Sequence, residues 1–277
     1  MLALGRDQNV HAAYFAGVFW LARLAQLRGK NPAWGLAFLL VPATITSLDR
    51  MTADIALAAF CVAFVLYSHS TWRVVAILAC ASLTRETVVP IVAGYCLYLL
   101  TRLEISRSLA AACSTLSAGA WFLYVTHGSA KSEAFAYLNW IPLYGFFERV
   151  IHPAVYSDVP WKAGVQTAFD YVALTGAALM QIAVARMALG ARWTPTTAPI
   201  YLLGIAVVFL GSRDVWIDAY NFSRVLSPLL LLVFLEQWPA MAALAPMAMI
   251  DLRISLSLAG QWEGILRGLL GLTEPRQ

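Results

Sequence analysis

Long apolar runs fill this chain, with polar residues gathered in the short gaps between them. The runs predict helices at about 9–27 (Asn9 to Leu27), 33–47, 52–68, 107–126, 164–188, 196–211, 222–236 and 238–250. A longer run, from Trp72 to Leu100, is interrupted by Thr84-Arg85-Glu86. A membrane-spanning helix needs roughly 20 apolar residues, at about 1.5 Å of rise per residue. Runs of about 15 residues reach only about 23 Å, so they extend through polar flanks or form half-helices packed on neighbours. The expected fold class is all-α: a polytopic transmembrane helical bundle of about ten helical segments, short or half helices included. Residues 1–277 form a single integral membrane domain, with a wet aromatic segment at 127–162 on the outer side. Gly260-Gln261-Trp262-Glu263 suits the interface, where tryptophan is common.

The number of spans turns on Arg85-Glu86. If 72–100 is one kinked helix, the pair is buried at mid-bilayer; if it is two short helices, the pair sits at a turn. With two helices, Arg28, Lys30, Arg73, Arg102, Arg107, Arg186 and Arg192 fall on one side, joined only by the acids Glu104 and Glu236. The other side receives Asp7, Asp49, Asp54, Glu86, Glu133, Glu148, Asp158, Asp214 and Asp218, with several arginines. Basic residues concentrate on the cytoplasmic side of membrane proteins, which favours two helices and an outward-facing acidic end.

Composition agrees with the pattern. Hydrophobic residues make up 61% of the 277 positions and charged residues 12%, with a mean hydropathy of +0.71. Typical soluble domains carry about 25% charged residues, so a water-soluble enzyme, a disordered chain and a small disulfide scaffold are excluded. The net charge of +4 is too small and scattered for a nucleic-acid partner. Cys61, Cys80, Cys96 and Cys113 lie inside apolar runs without a C-x-x-C pair and read as packing residues. No metalloprotease-type histidine spacing and no glycine-rich phosphate loop occurs, which argues against a nucleotide-driven motor. Asn221-Phe222-Ser223 matches a glycosylation sequon by chance. No cleavable leader is evident at the N-terminus.

Charge near a bilayer is expensive, so its placement is informative. Four polar clusters stand out on the predicted outer side. In Gly5-Arg6-Asp7-Gln8-Asn9, Asp7 is expected at the N-terminus of the first helix, where the dipole favours an anion or a plain cap. In Ser47-Leu48-Asp49-Arg50-Met51-Thr52-Ala53-Asp54, Asp54 falls in the first turn of a helix, either as cap and ion pair or as a functional acid. In Thr84-Arg85-Glu86-Thr87, a turn lets both charges point into a cavity, where a helix would turn them about 100° apart; a snorkelling structural pair is the alternative. In the stretch from Arg213 to Arg224, Asp214 and Asp218 share a face if helical, and Arg224 suits an oxyanion at the membrane entrance. Carboxylates here serve as a general base or hold a divalent metal, and arginines hold a lipid-linked phosphate. The aromatic segment covers such a site, stacks on sugars, or forms an interfacial belt.

These residues carry a resemblance. Gly5-Arg6-Asp7 before His11-Ala12-Ala13-Tyr14, then Leu48-Asp49-Arg50-Met51-Thr52-Ala53-Asp54 and Leu83-Thr84-Arg85-Glu86-Thr87, resemble the GT-C superfamily. These are polytopic glycosyltransferases that use polyprenyl-phosphate sugars outside the cytoplasmic membrane. Tyr220-Asn221-Phe222-Ser223-Arg224-Val225-Leu226-Ser227-Pro228 is similar to a charged loop-to-helix junction of bacterial members, and the likeness covers about 5–230. It implies a bacterial inner-membrane protein whose partners are lipids and a polyprenyl-phosphate-linked sugar, with a possible divalent metal. It implies Asp7, Asp49, Asp54 and Glu86 as candidate catalytic acids. Arg50, Arg85, Asp214, Asp218, Asn221 and Arg224 are the candidate substrate-binding residues. The superfamily places its catalytic acid after a first span, whereas no span precedes Asp7. Either the chain is an N-terminally shortened member, or the role lies with Asp49 or Asp54, or the protein is not an enzyme. A transporter or flippase of a lipid-linked substrate and a non-catalytic membrane subunit are the alternative classes; broken helices near Arg85-Glu86 fit the transporter equally.

Overall fold

The structure, a computed structural model, describes residues 2–50, 52–128, 138–154, 156, 159–238 and 241–269, without the side chains of 2–8, 125–126, 128, 241–242, 260–265 and 268. The described residues are almost wholly helical, and an isolated bridge joins Leu138 to Leu210. In chain order the α-helices begin with α1 Leu2–Leu27, α2 Pro42–Arg50, α3 Asp54–Tyr67, α4 Thr71–Ser82, α5 Val88–Thr101, α6 Ile105–Cys113 and α7 Leu116–Gly128. They continue with α8 Tyr144–Ile151, α9 Pro160–Leu189, α10 Thr197–Val208, α11 Arg213–Trp216, α12 Ala219–Gln237 and α13 Ala245–Leu269. Short 3₁₀ segments lie at Pro32–Leu40 and Met241–Leu244.

The run from Trp72 to Leu100 is two helices, α4 and α5, with Arg85 and Glu86 in the turn between them. Elsewhere the runs are more broken than the sequence predicts. The expected 33–47 span is the 3₁₀ segment Pro32–Leu40 followed by α2, bent by 63° at Val41-Pro42. Pro42 has no N–H to continue the ladder, and it starts a helix readily because the first N–H groups have no intrahelical partner. The expected 107–126 span divides at Ser114 and Thr115 into α6 and α7. Ser114 Oγ donates to the carbonyl of Ala111 at 2.6 Å, and Thr115 Oγ1 donates to that of Ala112 at 2.8 Å. Such local bonds compete with the helical ladder.

Only α9 and α12, among the described residues, are long and apolar enough individually to cross a membrane; the bent pair makes a third if it counts as one span. Helices of 9–14 residues such as α2 to α6 reach about 14–21 Å, short of the roughly 30 Å hydrocarbon core. The expected helical bundle is therefore present, but with thirteen α-helices among the described residues in place of about ten segments, and most of them are not independent spans.

α12 lies at the centre. Leu226, Leu229, Leu230, Leu231, Leu232, Val233, Phe234 and Leu235 are all buried, so the helix is covered on every side. α2, α3, α9, α10 and α13 surround it. Pro228 inside α12 leaves the helix short of one backbone donor. One position earlier, Ser227 bridges outwards: its hydroxyl donates to the Ser223 carbonyl at 2.7 Å and accepts the Ala43 N–H at 2.8 Å. That bond occupies one of the free donors at the start of α2. Around the bundle, Phe15, Phe19, Trp72, Leu109, Leu116 and Trp121 are exposed. Apolar surface of this extent is an aggregation liability in water and is solvated in a bilayer.

The charged residues sort to opposite ends. At one end Arg28 donates to the Leu235 carbonyl at 2.5 Å and stacks over Trp238, and Trp193 Nε1 donates to Thr101 at 2.9 Å. Arg102 and Arg192 adjoin that last contact in sequence. At the other end lie Asp49, Asp54, Arg85 and Arg224.

Candidate functional site

The turn from α2 into α3 is held by Ser47, whose hydroxyl accepts the Ile55 N–H at 3.0 Å and lies 3.0 Å from Thr52 Oγ1. That bond satisfies one free N–H of the first turn of α3, where Asp54 stands as the sequence pattern predicts. Asp54 is 3% exposed and takes a guanidinium on each oxygen. Arg85, from the turn before α5, pairs with Oδ1, and Arg224 Nε, from the first turns of α12, donates to Oδ2 at 2.6 Å. The cluster brings together three of the candidate site residues from three places in the chain. It leaves neither Asp54 oxygen open to a substrate, so its form is that of a structural hub.

Glu86 points away: its side chain is 77% exposed, 3.8 Å from Arg85 Nε. The expectation that both charges of the turn enter one cavity is corrected; only Arg85 turns inward, because successive positions of the turn face different ways.

Asp49 and Arg50 end α2. Their side chains approach to 3.7 Å, and the Arg50 guanidinium lies 4.3 Å over the Tyr220 ring. A cation at a helix C-terminus is favoured by the dipole. Both residues line a cavity of about 360 Å³ with Tyr156, Gln166, Asp218, Ala219, Tyr220, Arg253 and Ser257. Asp218 is the N-cap of α12, its Oδ1 accepting the Asn221 N–H at 2.8 Å. Its extended backbone, φ −145° and ψ 164°, separates α11 from α12. Asp214 and Asp218 therefore do not share a helix face. Asp214 is exposed, and its carbonyl accepts the Asn221 side-chain amide at 3.2 Å. Asn221 thus ties the junction together and is not among the cavity residues. Asp7 lies in the second turn of α1 and not at the helix start, because the helix extends back to Leu2; its side chain is outside the described residues.

The far wall of the cavity is a network that the pattern of polar clusters misses. Asp170, buried in α9, accepts Arg253 Nε of α13 at 2.5 Å on Oδ1. On Oδ2 it accepts Arg149 of α8 and the Tyr156 hydroxyl, the latter at 2.8 Å. Burial, followed by the bond to Asp170, pushes the Tyr156 phenol up to about 12, so it stays a neutral donor at physiological pH. A signal existed: Asp170 is an acid inside the predicted 164–188 helix, and a charge within such a segment is a site candidate by default. Asp251, two positions before Arg253, has both carboxyl oxygens buried with no hydrogen-bond partner among the described residues.

The aromatic segment divides. Phe146 packs edge-on to Trp216, which stacks on Phe222, and Tyr156 reaches the cavity. Trp140 and Trp161 are exposed. Residues 129–137, including Glu133 and Tyr137, and also Asp158, lie outside the described residues.

No three His, Cys, Asp or Glu side chains converge among the described residues. Divalent cations take several oxygen ligands. Here two guanidiniums share the cavity with Asp49 and Asp218, so the side chains present do not make a cation's ligand set. What they make is a polar cavity lined by the carboxylates of Asp49 and Asp218 and the guanidiniums of Arg50 and Arg253. The sequence matches no family model, and the comparisons with curated proteins and solved structures give no match.

Proposed function

We propose that this chain is a multi-pass membrane glycosyltransferase of the GT-C type, in a bacterial inner membrane. It transfers a sugar from a polyprenyl-phosphate donor at the outer face. The carrying observation is the cavity in which Asp49, Arg50, Asp218 and Arg253 converge, at the end of the bundle opposite Arg28, Arg102 and Arg192. In this reading the basic end is cytoplasmic.

Asp49 is the preferred base, since it lines the cavity and its side chain is 16% exposed, whereas Asp54 is closed by two arginines. It takes the proton of an acceptor hydroxyl as that oxygen bonds to the anomeric carbon. The anomeric carbon–oxygen bond to phosphate breaks, and its electron pair leaves with the polyprenyl phosphate.

The test is transfer from a panel of lipid-linked sugars in proteoliposomes. Asp49→Asn is expected to lower turnover by about 10²–10⁴-fold with donor binding retained. Asp7→Asn is measured alongside. Unchanged turnover in Asp49→Asn removes the base from Asp49, and absence of transfer with every donor overturns the reading. A transporter of a lipid-linked substrate is the second reading, favoured by the bend of 63° that leads into Asp49 and Arg50. Movement of labelled lipid between leaflets without transfer would select it.

A further inference from the structure

Behind the cavity, two buried guanidiniums share one carboxylate. Arg149, Asp170 and Arg253 are all buried, and Tyr156 adds a hydroxyl but no charge at neutral pH. Burying a charge without full compensation is costly, and Arg253 shares its one ion-pair partner with Arg149, so its guanidinium favours an incoming anion. Arg149 stands behind Asp170 and is not among the cavity residues; Arg253 is.

Arg253 is also held in one orientation. Its Nε donates to Asp170 at 2.5 Å, its Nη1 donates to Ser257 Oγ, and it stacks 4.8 Å over the Tyr156 ring. Its Nη2 makes no hydrogen bond among the described residues. The other cavity charges are engaged: Asp49 lies beside Arg50, and Asp218 caps α12. No ion pair joins Asp218 to Arg253 among the described residues. Gln166 Oε1 is buried with no partner among the described residues and calls for a hydroxyl donor.

We propose that Arg253 is the receptor for a phosphate oxyanion at the wall of the cavity, that Asp170 and Ser257 are its positioning residues, and that Gln166 accepts a hydroxyl of the same ligand. A guanidinium fixed on one edge offers its remaining N–H groups without further loss of side-chain freedom. The ligand class is a phosphorylated polyol, free or as a lipid headgroup. This deepens the proposed function and rests on it for the donor's identity.

Binding to the full chain in detergent micelles tests it, with hexose 1-phosphate, polyprenyl-phosphohexose, inorganic phosphate and neutral hexose as probes. At least one phosphorylated hexose is expected to bind, and neutral hexose is not. Arg253→Gln lowers that affinity about 10–100-fold, and Arg253→Lys recovers part of it. Ser257→Ala leaves the fold intact and weakens phosphohexose binding, with the same direction in Asp170→Asn. Binding of both phosphohexoses assigns the site to the shared headgroup, and binding of the polyprenyl form alone assigns it to lipid. Equal affinity for neutral and phosphorylated hexose, no binding of either phosphohexose, or wild-type affinity in Arg253→Gln overturns the proposal. Should Arg253→Gln fail to fold, wild-type affinity in Ser257→Ala does the same. Binding without transfer leaves this proposal standing and sinks the transferase; transfer undiminished in Arg253→Gln does the reverse.

Discussion

Asp54 and Asp49 stand five positions apart at one turn, yet their surroundings assign them different work. Asp54 is buried between Arg85 and Arg224, and removing its charge leaves two guanidiniums with only the exposed Glu86, 3.8 Å from Arg85, as counterion. Asp54→Asn is expected to cost about 3–5 kcal/mol of stability, the range for breaking a buried ion pair from one side. Asp49 pairs loosely with Arg50 at 3.7 Å, a contact whose arginine is half exposed. Asp49→Asn is expected to cost at most about 1 kcal/mol. Thermal unfolding of both variants in the same detergent checks the contrast. Equal melting temperatures would mean that Asp54 is no structural hub and would return it to the list of candidate bases.

At the scale of elements, close helix approach depends on a few small residues. A Cβ added at Gly94 of α5 would sit 2.5 Å from both the N and Cα of Pro199 in α10. Backbone atoms cannot swing aside as a side chain can, so the helices would have to separate. Gly94→Ala is expected to destabilise the chain by about 1–3 kcal/mol, although alanine is the better helix former. A melting temperature at or above that of the unmodified chain would show that α5 and α10 do not pack at this distance. Gly145 makes the same demand at the base of the aromatic segment, where a Cβ would meet Trp216 Cδ1 at 2.4 Å. That glycine lets α8 lie against α11, and so carries Arg149 toward Asp170.

Across the whole molecule, the separation of charge into two ends makes a topological prediction. Glu86 and Asp214 are exposed and belong to the end that holds Asp54 and the cavity. Arg102 and Arg192 adjoin the Thr101–Trp193 contact at the opposite end. In a background lacking the four native cysteines, cysteine at 86 or 214 is expected to label from the outer face. Cysteine at 102 or 192 is expected to label only from the cytoplasmic face. Labelling of 86 and 102 from the same side would break the correspondence between bundle ends and membrane faces.

Much of this architecture is legible in the residues alone. Helix formation is local: an apolar run bounded by Ser, Asp or Pro declares itself within one segment, as 54–67 does, and as 219–237 does despite Pro228. The turn at Arg85-Glu86 is also readable, because the cost of burying charge and the asymmetry of basic residues both point to it. What the residues alone do not decide is who meets whom. The partners of Asp54 lie 31 and 170 positions away, and Arg253 meets Asp170 across 83 positions. The breaks at Val41-Pro42 and Ser114-Thr115 have local causes, but the direction each short piece takes is set by its packing partner, since short helices draw most of their stability from tertiary contact. Apolarity and charge at a position follow from residue type, but the pairing of a charge depends on the packing of α9 against α13 and of α12 against α3. Hence helical character and the two charged ends belong to the sequence. The closing of Asp54, the opening of Asp49 to the cavity and the Arg149–Asp170–Arg253 wall exist only in the packed bundle.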